Sequence, residues 1–107
     1  MKRLEIISVR TSGNYEERAR ICLHELRLAR DVSSANIEFY VNENLPGDLA
    51  AFLSWTTTKG KPKNLKSDLG LCLADAMRRF GLVDHACWLA IEDHFDLLIS
   101  PSRRVHP

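Results

Sequence analysis

The apolar positions of the chain change period several times, and each change marks an element. Leu4-Glu5-Ile6-Ile7-Ser8-Val9 is short, β-branched and mostly apolar, which suits a central strand, and Thr11-Ser12-Gly13 closes it. From 15 to 30 the period becomes helical. Ala19, Cys22, Leu26 and Ala29 form one stripe that Leu23 widens, Asn14 with Glu17 offers a capping box, and Glu16 and Arg20 sit four apart on the outer side. Asp31 to Ala35 is a turn cluster. Ile37, Phe39 and Val41 then alternate with Glu38, Tyr40 and Asn42, the cleanest period-two run in the chain. Asn44-Leu45-Pro46-Gly47-Asp48 is turn chemistry, and Leu49 to Thr57 reads as a strand because Phe52-Leu53-Ser54-Trp55-Thr56-Thr57 outweighs the helix-forming Ala50 and Ala51.

A Lys, Gly and Pro loop over 58–66 leads to a second helix capped by Ser67 or Asn64. Its buried face is Leu69, Cys72, Leu73, Ala76, Met77 and Phe80, Asp75 is spaced to pair with Arg79, and Gly81 stands where a terminal glycine cap belongs. His85 to Ile91 reads as the last clear strand, with Phe95 to Ile99 as its continuation or a short extra strand. The order β-α-β-β-α-β predicts a ferredoxin-like α+β fold, in which right-handed crossovers place both helices on one face of an antiparallel sheet. Residues 1–101 form a single domain in this reading, and 102–107 a polar C-terminal tail.

The strands are apolar on both sides. Leu4 and Ile6 oppose Ile7 and Val9; Cys87, Leu89 and Ile91 oppose Ala86, Trp88 and Ala90; Phe52 and Trp55 point to opposite sides. A sheet apolar on both faces needs cover on both. The helices supply one cover, and a second copy of the chain is the expected other, so the sequence predicts a homodimer.

Composition narrows the function classes. At 107 residues, 45% hydrophobic and 27% charged, the chain matches one ordinary globular domain. Fifteen basic side chains against fourteen acidic leave a net charge of +1, which gives no electrostatic case for nucleic acid or an anionic membrane. Three cysteines, Cys22, Cys72 and Cys87, with no Cys-x-x-Cys unit are not a disulfide framework and suit a reducing compartment. Glu5 and Arg10 interrupt what would have to be the apolar stretch of a signal peptide behind Met1-Lys2-Arg3, so the expected location is cytoplasmic.

The motifs Phe52-Leu53-Ser54-Trp55, Ser67-Asp68-Leu69-Gly70-Leu71, Leu73-Ala74-Asp75-Ala76 and Phe80-Gly81-Leu82-Val83-Asp84-His85, followed by Trp88, resemble those of a group of small bacterial proteins without an assigned activity. The whole layout is similar to the dimeric α+β barrel superfamily, which includes the antibiotic-biosynthesis monooxygenases. The resemblance implies a dimeric barrel and carries no catalytic set. Haem-degrading members of that superfamily use a haem-facing Asn and Trp; Asn42 or Asn36 with Trp88 or Trp55 are equal candidates by spacing, and no cofactor is expected.

Candidate chemistry is sparse. Trp55 and Trp88 could wall a pocket for a flat ligand, with Tyr40, Arg10 and His85 as its further ligand-binding candidates. Lys63, Lys66 and Ser67, just before a helix N-terminus, are candidate anion contacts, although the segment lacks the spacing of a phosphate loop. Asp84, His85, Cys87, Glu92, Asp93, His94 and Asp96 are the densest set of potential metal ligands. Only His85 and Cys87 share a strand face, and zinc needs three or four protein ligands, so no metal is expected. The reading is a small-molecule binding protein with its pocket on the open sheet face. A cofactor-independent monooxygenase-like enzyme and an interaction or regulatory module are the alternatives.

Overall fold

A computed structural model describes residues 2–29, 36–56 and 66–91. The elements run β1 (Lys2–Thr11), a single 3₁₀ turn (Gly13–Tyr15), α1 (Glu16–Ala29), β2 (Asn36–Val41), β3 (Asp48–Thr56), α2 (Asp68–Met77) and β4 (Gly81–Leu89). The four strands form one antiparallel sheet in the order β2-β3-β1-β4, with both helices on one face, so the fold is ferredoxin-like α+β. The expected strand at 95–99, the acidic positions 92–96 and the 102–107 tail lie outside the described residues, as does Asn64.

β1 is the axis of the sheet. It pairs with β3 from Lys2↔Thr56 to Arg10↔Asp48 and with β4 from Arg3↔Leu89 to Thr11↔Gly81. Alternation along it is strict: Arg3, Glu5, Ile7, Val9 and Thr11 are buried beneath the helices, whereas Leu4, Ile6 and Ser8 are half-buried on the other side. Ile7, Val9, Leu49, Ala51 and Leu53 of the sheet meet Ala19 and Leu23 of α1 and Leu73, Ala74 and Met77 of α2 in one core. No helix among the described residues is long and apolar enough to cross a membrane.

Several local expectations are corrected. The Asn14–Glu17 capping box does not form. The chain turns instead on backbone bonds, Tyr15 N–H to the Ser12 carbonyl and Ser12 N–H to the Phe80 carbonyl, and α1 starts at Glu16. Asp75 pairs with Arg78 rather than Arg79, because the Arg79 guanidinium lies over the Phe80 ring, 4.9 Å from its centroid, and reaches Cys22 Sγ. Ala29 is exposed, and the cysteines are half-buried free thiols.

Gly81 is not a helix cap. It opens β4, four positions before the predicted start, because the strand there runs hard against the end of β1. A Cβ on Gly81 would overlap the backbone carbonyl of Arg10. Backbone cannot swing aside as a side chain can, so Gly81→Ala should destabilise the fold by at least the ~1–3 kcal/mol typical of overpacking. Urea unfolding of the variant checks this, and a midpoint equal to that of the parent protein would refute the close approach.

Candidate functional site

Two groups of side chains with chemical potential emerge, one on each face of the sheet. On the open face, a cavity of about 490 Å³ lies at the end where β1 and β2 finish and β3 and β4 begin. Arg10 and Asp48, adjacent across the β1–β3 ladder, form its polar wall. Arg10 Nε donates to Asp48 Oδ1 at 3.0 Å and its terminal amino group to Oδ2 at 3.4 Å, and this hydrogen bond with the carboxylate charge raises the Arg10 pKa. The guanidinium stays largely in solvent, so its remaining donors can meet a ligand.

The aromatic wall is Tyr40 against Phe52, edge to face with centroids 4.9 Å apart. The Tyr40 hydroxyl donates to Glu38 at 3.1 Å, which with the Glu38 charge pushes the phenol upward in pKa. Leu82 and Asp84 of β4 close the third side. The pocket thus offers a flat apolar surface with one cation, Arg10, and two acids, Asp48 and Asp84, around it.

On the helix face, a polar group occupies the middle of the sandwich. Glu5 has no solvent exposure. Ser67 Oγ donates to its carboxylate at 2.7 Å and the Ser67 N–H reaches both oxygens at 3.2 and 3.3 Å, while His85 Nε2 contacts Oε2. Ser67 Oγ in turn accepts the Gly70 N–H at 2.9 Å, so the cap of α2 and the buried carboxylate are one chain of hydrogen bonds. Gly70 makes this possible: a Cβ there would overlap the Glu5 carboxylate. Cys87 lies beside the pair. Desolvation first, then the Glu5 charge, pushes its thiol up in pKa, with Arg3 and Lys66 acting in the opposite sense.

The five sequence-derived ligand candidates do not form one site. Arg10 and Tyr40 come together in the open-face cavity. Trp88 is also on the open face and 55% exposed, but it stands opposite Leu4, whereas Tyr40 stands in the row of Ala50 and Ser8. Four residues of strand, about 13 Å, separate those rows. Trp55 and His85 are on the helix face. Of the anion candidates, Lys63 lies outside the described residues and Lys66 is exposed. The N–H and hydroxyl of Ser67 are already held by Glu5. The Asn and Trp candidates do not adjoin either: Asn42 caps its own turn through the Asn44 and Leu45 N–H groups, far along the sheet from Trp88 and Trp55, Asn36 and Trp55 sit on opposite faces, and Asn36 shares the open-face row of Trp88 but with β3 and β1 between them.

Sequence reasoning passed over Glu5, Phe52 and Asp48 as site residues. Glu5 carried a signal: a carboxylate on the same alternation as Ile7 and Val9, within an apolar strand. Phe52 and Asp48 join the cavity only through the β2–β3–β1 register, which no local pattern states.

No protein-family model and no curated protein matches the chain. Solved structures do. SnoaB from Streptomyces nogalater, a cofactor-independent oxygenase seen as a single-residue variant, superposes with a TM-score of 0.60 at 14% identity, covering 83% of this chain and 92% of its own. An antibiotic biosynthesis monooxygenase gives 0.58 at 13% identity, with 84% and 96% covered. Rv0793 from Mycobacterium tuberculosis gives 0.52 at 14% identity, with 84% and 95% covered. At these identities the likeness is one of fold: the chain shares the ferredoxin-like α+β fold of these solved structures.

Proposed function

We propose that the protein binds a small, flat, partly apolar molecule on the open sheet face and that a second copy of the chain covers the rest of that face. The observation that carries the first part is the cavity between the Tyr40–Phe52 pair and the Arg10–Asp48 pair, of a size that suits small ligands. Arg10 selects for a ligand with an acceptor or anionic group at one edge, and the aromatic pair for a planar body.

The second part rests on what surrounds the cavity. Leu4, Ile6, Phe52, Ala86, Leu82 and Trp88 make an apolar surface that no described element covers, and monomers seldom expose such contiguous patches. A copy laid on it would bury Trp88 and narrow the cavity mouth.

A second reading, cofactor-independent oxygenase chemistry, is supported by the fold likeness to SnoaB. Without a cofactor, the electrons that reduce dioxygen must come from the substrate, so the ligand would be an easily oxidised phenol or hydroquinone.

Three measurements test these statements. An anilinonaphthalene sulfonate dye, flat and anionic at one edge, should bind the native protein with saturable fluorescence. Arg10→Ala and Phe52→Ser should each weaken it about tenfold, equivalent to ~1.4 kcal/mol, while Leu71→Ala on the exposed side of α2 leaves it unchanged. Equal affinity in all three variants would remove the cavity from consideration. Sedimentation equilibrium should return about twice the chain mass, and Trp88→Ala should shift it toward monomer without the ~3–5 kcal/mol penalty of a buried aromatic. A parent protein that sediments as a monomer at micromolar concentration would exclude the second copy. Oxygen uptake on incubation with a hydroquinone, lost in Arg10→Ala, would favour the oxygenase reading, and uptake no faster than in buffer counts against it.

A further inference from the structure

We infer that Glu5, His85 and Cys87 form a binding site for a divalent transition-metal ion of the zinc class, on the helix face of the sheet and separate from the open-face cavity. The three side chains come from two adjacent strands. Cys87 stands opposite Glu5 in the β1–β4 ladder, and His85 is two residues back on the same face. One potential ligand atom from each lies within 4.8 Å of the others. A tetrahedral ion with bonds of about 2.0–2.3 Å would draw such atoms in by about an ångström, which side-chain rotation supplies.

The donor set is chemically specific. One thiolate, one imidazole and one carboxylate match zinc, cobalt or nickel rather than the all-oxygen shells of magnesium and calcium. Charge balances as well, since a divalent ion with Glu5 carboxylate and Cys87 thiolate is neutral. The proton of the thiol, and any proton on the His85 nitrogen that becomes a ligand, would go to solvent on binding.

Two further features distinguish this group from a chance cluster. The side chain of Glu5 is fully buried and that of His85 is 5% exposed, so neither is an ordinary surface group. The carboxylate is also oriented from behind, because Ser67 Oγ and N–H hold it and Gly70 leaves it room, as the outer partners of a metal ligand do. Three protein ligands leave a fourth position, and the half-buried Cys87 gives an ion its route in. Sequence spacing alone could not find this site, because its third ligand lies eighty residues before His85.

The test is cobalt titration of the full chain after chelator treatment, with the thiols kept reduced. We expect one ion per chain and a thiolate-to-cobalt charge-transfer band in the near ultraviolet, displaced by zinc. Cys87→Ser should abolish the band and weaken zinc binding by more than about 100-fold, beyond the loss typical of an outer partner. Cys22→Ser and Cys72→Ser should change neither. Absence of the band in the parent protein, or its survival in Cys87→Ser, overturns the site. If Cys87→Ser does not fold, X-ray absorption of the zinc-loaded parent protein decides: one sulfur with nitrogen and oxygen neighbours supports the site, and none or several sulfurs refutes it.

Discussion

A carboxylate with no access to water organises the helix side of this fold. Burying an ionised group costs several kcal/mol unless it is paired and hydrogen-bonded. Glu5 meets that requirement by drawing on three separate parts of the chain: its own strand places it, the Ser67 cap of α2 donates to it, and His85 of β4 closes against it. Its bonds therefore fix where α2 begins and how that helix docks on the central strands. They also explain Gly70, which carries no side chain because the carboxylate occupies that space. Removing one partner of a buried pair of this kind costs ~3–5 kcal/mol, a large part of the stability of a domain this size.

The same alternation that buries Glu5 produces the contrast between the faces. β1 sends Glu5, Ile7 and Val9 to the helices and Leu4, Ile6 and Ser8 to the open side. Along β1 the covered face thus holds Arg3 and Glu5 beside apolar Ile7 and Val9, while the open face is apolar at Leu4 and Ile6 and polar from Ser8 to the Arg10–Asp48 end. Apolar surface without cover and a buried charge with full partners are two consequences of one register. The two faces differ in their cover: helices lie over Glu5, and no described element lies over Phe52, Leu82 and Trp88.

Much of this was legible in the sequence, for reasons that differ by element. The strand–helix order, the fold and the sidedness of Trp88, Phe52 and Trp55 follow from period and alternation, which are local properties. The cap of α2 at Ser67, one of the two residues the sequence offers for it, is likewise local. The β4 start was misread because Gly81 has two structural uses, helix cap and close strand approach, and only the neighbouring Arg10 carbonyl decides between them. Arg79 was assigned to Asp75 by helical spacing, but Phe80 and Cys22 offered it a tertiary alternative. The site candidates scattered for the same reason. Residue type marked Arg10, Tyr40, Trp88, Trp55 and His85 as useful, whereas their grouping depends on strand register, and register joins Arg10 to Asp48 and Tyr40 to Phe52 instead.

The position of β1 ties the two faces together without any side-chain contact between them. Its residues pair on both edges, with β3 and with β4, from Arg3 to Arg10. A one-residue slip would send Glu5 to the open side and Ile6 under α2, exchanging the environments of every group on the strand. Two ladders and the Glu5–Ser67–His85 bonds all resist that slip, so the cavity wall at Arg10 is positioned by interactions made on the opposite face. A ligand in the cavity and an occupant of the Glu5 group would consequently share one rigid strand. Coupling between them would require a shift of β1 against its neighbours rather than a side-chain relay, and the doubly paired ladder opposes such a shift.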